Sequence, residues 1–152
     1  MRMKNYVRLL VMLLLSFVSM YVLMYAMADR FANVYPNINQ TYMAGLMTAP
    51  MVLIEIVLMG AMYENGKANA VIAVASVVAL VGCFLLIREQ TAVGDRQFLK
   101  SMIPHHASAI LMCGKASIQD PRISDLCRTI IRGQQSEIDQ MKDILRDLES
   151  RS

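Results

Sequence analysis

The chain has 152 residues, a formal net charge of +3 and a hydrophobic fraction of 56%, with fourteen methionines and no tryptophan. Soluble domains contain about 45–50% apolar residues on average, so this composition favours a membrane protein. The basic residues form no cluster with interleaved aromatic side chains, which argues against binding to nucleic acid.

Three hydrophobic runs occupy residues 9–28, 42–63 and 68–87. Each run is long enough to cross a hydrocarbon layer of about 30 Å. A cleaved signal peptide would have an apolar region of only about 7–15 residues and a small-residue cleavage site, so we interpret the first run as a retained anchor. Residues 29–41 form a polar loop, and a tight turn joins the second run to the third. Residues 1–90 are therefore predicted to be a three-helix anchor in the lipid bilayer.

Basic residues near the ends of the runs indicate the orientation. Arg2, Lys4 and Arg8 place the N-terminus in the cytoplasm, and Lys67 agrees with them. The bias is weakened by four basic residues on the other side, Arg30, Arg88, Arg96 and Lys100. Three crossings then place the C-terminal segment outside. This predicts a multi-pass protein of a bacterial inner membrane with a periplasmic or extracellular C-terminal segment.

Residues 88–152 contain ten Lys or Arg and nine Asp or Glu, so this part of the chain faces water. Its pattern predicts two helices, over residues 95–118 and 121–149. Asp120 and Pro121 are typical of a helix start, with an N-cap followed by proline at the first helical position. The sequence therefore predicts an all-α protein, in which three transmembrane helices precede an amphipathic helical hairpin domain over residues 95–152.

Apolar residues in both predicted hairpin helices recur at alternating steps of three and four, as in a packed bundle. The seam of the second helix is Cys127, Ile131, Gln134, Ile138, Met141, Leu145 and Leu148, and that of the first is Leu99, Ile103, His106, Ile110 and Cys113. Two helices alone bury little apolar surface. We therefore expect a second copy, the membrane helices or a membrane partner protein to complete a four-helix bundle.

The two histidines of the chain are adjacent, at the end of the segment Met102–His106. Neighbours on a helix point about 100° apart. His106 lies on the seam, whereas His105 lies on the flank with Met102 and Met112. Thioether and imidazole groups suit Cu(I) better than Zn(II), Mg(II) or Ca(II). This stripe is therefore a candidate metal-binding surface.

A structural interpretation of the same residues stays open, in which the methionines are core and His106 is a buried side chain hydrogen-bonded to Gln134. Pro104 lacks a backbone N–H, so the helix is expected to start or kink near it. The ligand motifs of zinc proteases and di-iron proteins are absent from the sequence. No nucleophile with a general base can be identified either, so we do not expect an enzyme.

Two further features could carry chemistry. Cys113 and Cys127 lie level on the predicted hairpin and could form a disulfide, provide thiolate to a metal, or remain as inert thiols. Glu55 lies in the second hydrophobic run, where a carboxylate is a functional candidate by default. It is part of a ladder with Met43, Met47, Met51 and Met59, and Met62 follows one turn on. The favoured interpretation is that these methionines are merely apolar and that Glu55 is protonated or paired, although a permease-like role is an alternative.

Residues 95–148 resemble the family known as domain of unknown function 305. The resemblance is carried by the block from Phe98 to His106, by Ala109, Ile110 and Met112, and by Ile130, Ile131, Gln134, Gln135, Glu137, Ile138 and Met141. It implies a ferritin-like helical bundle. Some members are periplasmic or secreted copper-binding proteins that use methionine and histidine ligands.

Carried over by position, the resemblance implies Cu(I) ligands at Met102, His105, His106, Met112 and Met141, with Gln134 and Glu137 around them. Many members carry two hairpins or a secretory signal, whereas this chain has one hairpin and a membrane anchor, so self-association is expected. The predicted function is Cu(I) buffering, delivery or tolerance by a membrane-tethered protein. The alternative is a structural membrane subunit whose hairpin mediates self-association or partner docking.

Overall fold

The computed structural model describes Arg2–Arg151, with side chains described from Lys4 onward. Residues 1 and 152, the outer limits of the predicted domains, lie outside the described residues, as does the side chain of Arg2 used in the orientation argument. Within residues 2–151 all regular secondary structure is helical, which confirms the all-α prediction. The α-helices are α1 (Arg2–Leu23), α2 (Ile38–Leu58), α3 (Gly66–Arg88), α4 (Asp95–Lys115) and α5 (Pro121–Ser150).

The first three helices are long and apolar enough to cross a membrane, as predicted. The spans are Lys4–Met27, Ile38–Leu58 and Gly66–Arg88, and the first includes a 3₁₀ turn that extends α1. The second span begins earlier than its hydrophobic run because the polar residues after Ile38 already join the helix. It also ends earlier, at Leu58. An Asn65 side chain caps α3 by accepting a hydrogen bond from the Ala68 amide at 3.1 Å.

Two compact units can be distinguished, and the first contains the membrane-length helices, with residues up to Met24 and Asn39–Thr91. Its buried apolar cluster comprises Leu9, Val52, Ile56 and Tyr63. At Gly45 the helices approach closely, since a Cβ atom placed there would lie 2.8 Å from the Cys83 sulfur. Small residues permit such close packing between membrane helices.

The second unit contains α4, α5 and also Tyr25–Ile38, which we call the first loop. Its buried cluster comprises Leu99, Ile103, Ala107, Ile138 and Leu145. Ala28 and Tyr35 of the first loop pack against this cluster. This segment therefore belongs to the same compact unit as the hairpin.

Asn33 is the central polar contact between the first loop and the hairpin. Its side chain is 1% exposed. It donates a hydrogen bond to Asp29 Oδ1 at 2.6 Å and accepts one from Lys142 Nζ at 2.5 Å. A buried amide needs such partners, because leaving its polar atoms unpaired is costly. The contact therefore attaches the loop to α5 at a specific position.

Pro104 provides the second attachment point. Helix α4 begins at Asp95, as predicted, and continues through this proline, so of the two expectations at Pro104, a start or a kink, the helix start is excluded. Proline has no N–H to donate to the carbonyl four residues earlier, which belongs to Lys100. The Asn37 amide of the first loop donates to that Lys100 oxygen at 3.4 Å. The missing helical hydrogen bond is thus replaced by one from the loop.

The hairpin has two different sides. With about 100° per residue, Lys142 and Glu137 fall on opposite flanks of α5, and the first loop contacts the flank of Lys142. On the flank of Glu137 and the adjoining outer side of α4, the two helices present large apolar side chains that are 43–57% exposed. We call this surface the apolar face, and it comprises Phe98, Met112, Ile123, Leu126 and Ile144.

Candidate functional site

His106 connects the two helices of the hairpin. Its Nε2 lies 2.8 Å from a carboxylate oxygen of Glu137, and its Nδ1 lies 3.0 Å from the Met102 carbonyl oxygen. Its side chain is only 12% exposed. The hydrogen-bond partner is therefore Glu137 rather than the expected Gln134, one turn away on α5. Both partners are hydrogen-bond acceptors, so an N–H on either ring nitrogen of His106 has a partner.

Met102 and Met141 lie one turn along the hairpin from this hydrogen bond. Met102 precedes His106 by four residues on α4, and Met141 follows Glu137 by four on the antiparallel α5. Residues four apart share a helix face, so the two methionines lie on the same flanks of the helices as His106 and Glu137. Both side chains are half-buried, and Met141 packs against the core cluster. By helix geometry, Met102, His106 and Met141 therefore lie on the same flank of the hairpin; that they bind a metal ion stays a prediction.

His105 and Met112 are placed differently. The ring of His105 is exposed and its centroid lies 6.0 Å from that of His106. Met112 is 52% exposed, and the ten residues that separate it from Met102 span about 15 Å along a helix. One ion therefore cannot bind both Met112 and Met102 of the same hairpin, while His105 lies at the edge of the cluster.

No group of three or more His, Cys, Asp or Glu side chains placed to hold a metal ion exists among residues 2–151. Zinc and iron sites are built from these imidazole, thiolate and carboxylate ligands. A metal ion at the His106 cluster would have to use thioether sulfur as well. Thioether sulfur with imidazole selects Cu(I), so the donor chemistry of the cluster fits this ion and not the commoner divalent ones.

Cys113 and Cys127 form a disulfide in the structure, with Cα atoms 5.2 Å apart. Of the three alternatives that the sequence left open, the pairing of the two thiols is the one observed. The bond joins α4 to α5 two turns from His106, and it leaves neither sulfur available as a thiolate ligand. Together with the His106–Glu137 hydrogen bond, it determines which residues of the two helices lie level.

Glu55 lies in the last turn of α2, close to the end of that membrane-length helix. It accepts a hydrogen bond from the Tyr63 hydroxyl at 3.0 Å. The two residues line a cavity of about 200 Å³ together with Asn5, Arg8, Leu9, Met12 and Met62. Three methionines of the ladder, Met43, Met47 and Met59, are between 36% and 40% exposed.

The first loop is the part of the unit that sequence analysis missed. Asp29 is 9% exposed and pairs with Arg30 at 2.8 Å. Burial raises the pKa of Asp29, but the hydrogen bonds from Asn33 and Arg30 outweigh this effect and hold the pKa below its ordinary value. The available signal was Pro104, because a proline inside a helix leaves a carbonyl that another segment must satisfy.

Comparison with known proteins adds two findings. Residues 85–145 match the family model described as domain of unknown function, DUF305. Over 144 residues the chain is 33% identical to an uncharacterized protein of Acanthamoeba polyphaga mimivirus, and the similarity covers 93% of each chain. This similarity therefore extends through the membrane-length helices as well as the hairpin. No solved structure matches the chain.

Proposed function

This chain belongs to the DUF305 family, and from the geometry of its hairpin we propose that it is a membrane-tethered protein that binds Cu(I) between α4 and α5. The observation that carries the proposal is the His106–Glu137 hydrogen bond between the two helices; Met102 and Met141 each lie four residues from it on the same helix faces. The proposed role is buffering, delivery or tolerance of copper. It involves binding and no catalytic reaction.

Two thioethers and one imidazole nitrogen would hold the ion. Nδ1 of His106 is hydrogen-bonded to the Met102 carbonyl oxygen, so it is the nitrogen on the side of Met102. Loss of the Nδ1 proton to water, together with release of that bond, frees the Nδ1 lone pair as a ligand, while Nε2–H donates to Glu137. A carboxylate that orients a metal-bound histidine in this way is common in metalloproteins. His105 is an additional ligand at the edge of the cluster.

The disulfide supports an extracytoplasmic hairpin. Disulfides persist in oxidising compartments and are rare in the cytosol. The first loop and the hairpin must lie on one side of the membrane because they pack together, and two intervening crossings, α2 and α3, satisfy this. We therefore propose that the N-terminus is cytoplasmic and the hairpin outside. That the membrane is a bacterial inner membrane stays a prediction.

Titration of the full chain in detergent with Cu(I), against a chromogenic Cu(I) chelator, tests the proposal. One ion per chain is expected, and Met102→Leu with Met141→Leu should abolish binding because leucine keeps the volume without the sulfur. Glu137→Gln should weaken binding by about 10–100-fold, as is typical when a ligand loses its orienting partner. The matched control replaces two exposed methionines of α2, Met43→Leu with Met47→Leu. Equal affinity of the two double variants would rule the site out.

A structural role for the same residues is the second candidate, and the occupancy of both His106 nitrogens favours it. In that case His106 joins the helices, and the chain is a membrane subunit without a metal. It predicts that His106→Gln lowers thermal stability, whereas a metal chelator changes neither stability nor oligomeric state. A stabilising shift on addition of Cu(I) would decide against it.

A further inference from the structure

We propose that two copies of this chain pair through the apolar face, so that their hairpins together form a four-helix bundle. The inference goes beyond the metal proposal and does not depend on it. It rests on the distribution of side chains over the hairpin, since one flank is already covered by the first loop and the other is not. The occupant of the uncovered flank can be identified from the register of α4 against α5.

The apolar face differs from the rest of the hairpin surface in composition. All five members are large apolar side chains with 43–57% exposure. By helix geometry, the only charged side chain near the middle of this face is Glu137, which already pairs with His106. The remaining charged residues of α5 lie on the other flank or on the outer side, such as Asp139, Lys142 and Arg146. Apolar patches of this kind, bordered by charge, mark interaction surfaces.

A two-fold axis parallel to the hairpin makes the face complementary to itself. It places α4 of each copy against α5 of the other, so every neighbouring pair of helices in the bundle is antiparallel, as in up-down bundles. Both α4 helices then begin at the same end. Two chains whose hairpins follow a membrane-length helix meet this condition when they are anchored in one membrane. The interface is isologous and therefore closed.

The register that this axis imposes places apolar side chains of one copy against apolar side chains of the other. The disulfide and the His106–Glu137 hydrogen bond set the levels of the two helices, to within about one residue or 1.5 Å. Phe98 then lies level with Ile144 of the second copy, and Met112 with Ile130 of the second copy. Two aromatic or aliphatic contacts thus form at each end of the face, and none pairs an apolar side chain with a charge.

The middle of the face is complementary in size and in charge. Ala109 lies level with Gly133 of the second copy, and two small residues permit close approach of the helices. His105 lies level with Glu137 of the second copy. The Glu137 carboxylate is 56% exposed and has acceptor capacity beyond its bond to His106. A carboxylate between the imidazole of its own chain and that of the second copy explains why both histidines stand next to each other.

Site-specific crosslinking of the full chain tests this register. The variant Ala109→Cys with Gly133→Cys is prepared in a Cys83→Ser background, reconstituted in detergent with a metal chelator present, and oxidised with diamide. The matched control is Ser108→Cys with Ser136→Cys, at the same level but on the outer sides of the helices. We expect a covalent dimer whose yield exceeds that of the control several-fold, because only the first pair comes within disulfide distance. Circular dichroism of both variants verifies that the helices are intact.

Leu126→Lys on the apolar face should reduce the crosslinking of the Ala109 and Gly133 pair, since it places a charge in the interface. Equal yields for the two cysteine pairs would overturn the proposal, and so would a dimer formed through Ala109→Cys alone. A monomeric mass by light scattering, with Leu126 labelled by a photoactivatable lipid, would show that lipid covers the face instead. Loss of Cu(I) binding leaves all these readouts unchanged, so the two proposals fail separately.

Discussion

Replacing Asn33 with alanine tests whether the first loop belongs to the fold of the hairpin. The Asn33 side chain loses a donated bond of 2.6 Å to Asp29 and an accepted bond of 2.5 Å from Lys142. A hydrogen bond to a charged group contributes about 1.5–3 kcal/mol. Lys142 is half-buried and can turn to water, and Asp29 keeps its bond to Arg30. Taking the lower limit for each bond, the free energy of opening should fall by about 3 kcal/mol.

Hydrogen exchange of the full chain, followed by mass spectrometry, measures this loss. A decrease of about 3 kcal/mol corresponds to roughly a hundredfold faster exchange of the protected amides between Ile138 and Leu145. The control is Gln140→Ala, an exposed position of the same helix, for which a change within about 0.5 kcal/mol is expected. Lys142→Met, alone and with Asn33→Ala, gives the coupling energy, which we expect to reach about 1 kcal/mol. An exchange rate in the alanine variant within about threefold of the unmodified chain would refute the reasoning.

Three further predictions follow from other contacts. Gly45→Ala should lower the melting temperature of the full chain in detergent, because the added Cβ would lie 2.8 Å from the Cys83 sulfur. Adding Cys83→Ala to this variant should restore the melting temperature. An unchanged low melting temperature in the double variant would contradict this explanation. Reduction of the Cys113–Cys127 disulfide, which closes a separation of 14 residues, should lower the free energy of unfolding by about 3 kcal/mol, and an unchanged urea midpoint would count against it. The pKa of Asp29 lies below its ordinary value of 3.8 because hydrogen bonds outweigh the effect of burial. The ionised carboxylate therefore stabilises the fold above pH 3.8. This contribution is lost as the pH falls through the lower pKa of the folded state. Asp29→Asn should therefore flatten the acid limb of the stability profile, and identical profiles would be evidence against the contact.

The membrane helices could be predicted from sequence because the signal is additive over about twenty residues. The ends of these helices could not be predicted, since a hydrophobic run and the helix that contains it begin and end at different residues. Helix α2 already begins at Ile38, where polar side chains are still helical. The start of α5 was correct because its signal is local. Asp120 accepts a hydrogen bond from the Arg122 amide at 2.9 Å, as its position before Pro121 predicted.

The role of the first loop could not be predicted from sequence. The loop is joined to the hairpin by contacts over long sequence separations, such as those of Asn33 with Lys142 and of Asn37 with the Lys100 carbonyl. The periodicity of apolar residues in the sequence does not indicate which distant polar side chains will pair. The partner of His106 was missed for a related reason. Gln134 lies nearest in level, but the Glu137 side chain, which is equally long and carries a charge, reaches the ring from the next turn and forms the stronger hydrogen bond.

The energetics of the apolar face give the membrane anchor a role in pairing. Its five side chains are about half exposed, and burying the remainder contributes ~1 kcal/mol each, or ~10 kcal/mol for two copies. Association from free solution opposes this with about 4–15 kcal/mol of lost translational and rotational freedom. The two terms nearly cancel, so isolated hairpins would pair weakly. Chains held in one membrane have already lost much of that freedom, and their effective concentration is correspondingly higher. The anchor therefore shifts the balance toward the four-helix bundle without adding a contact.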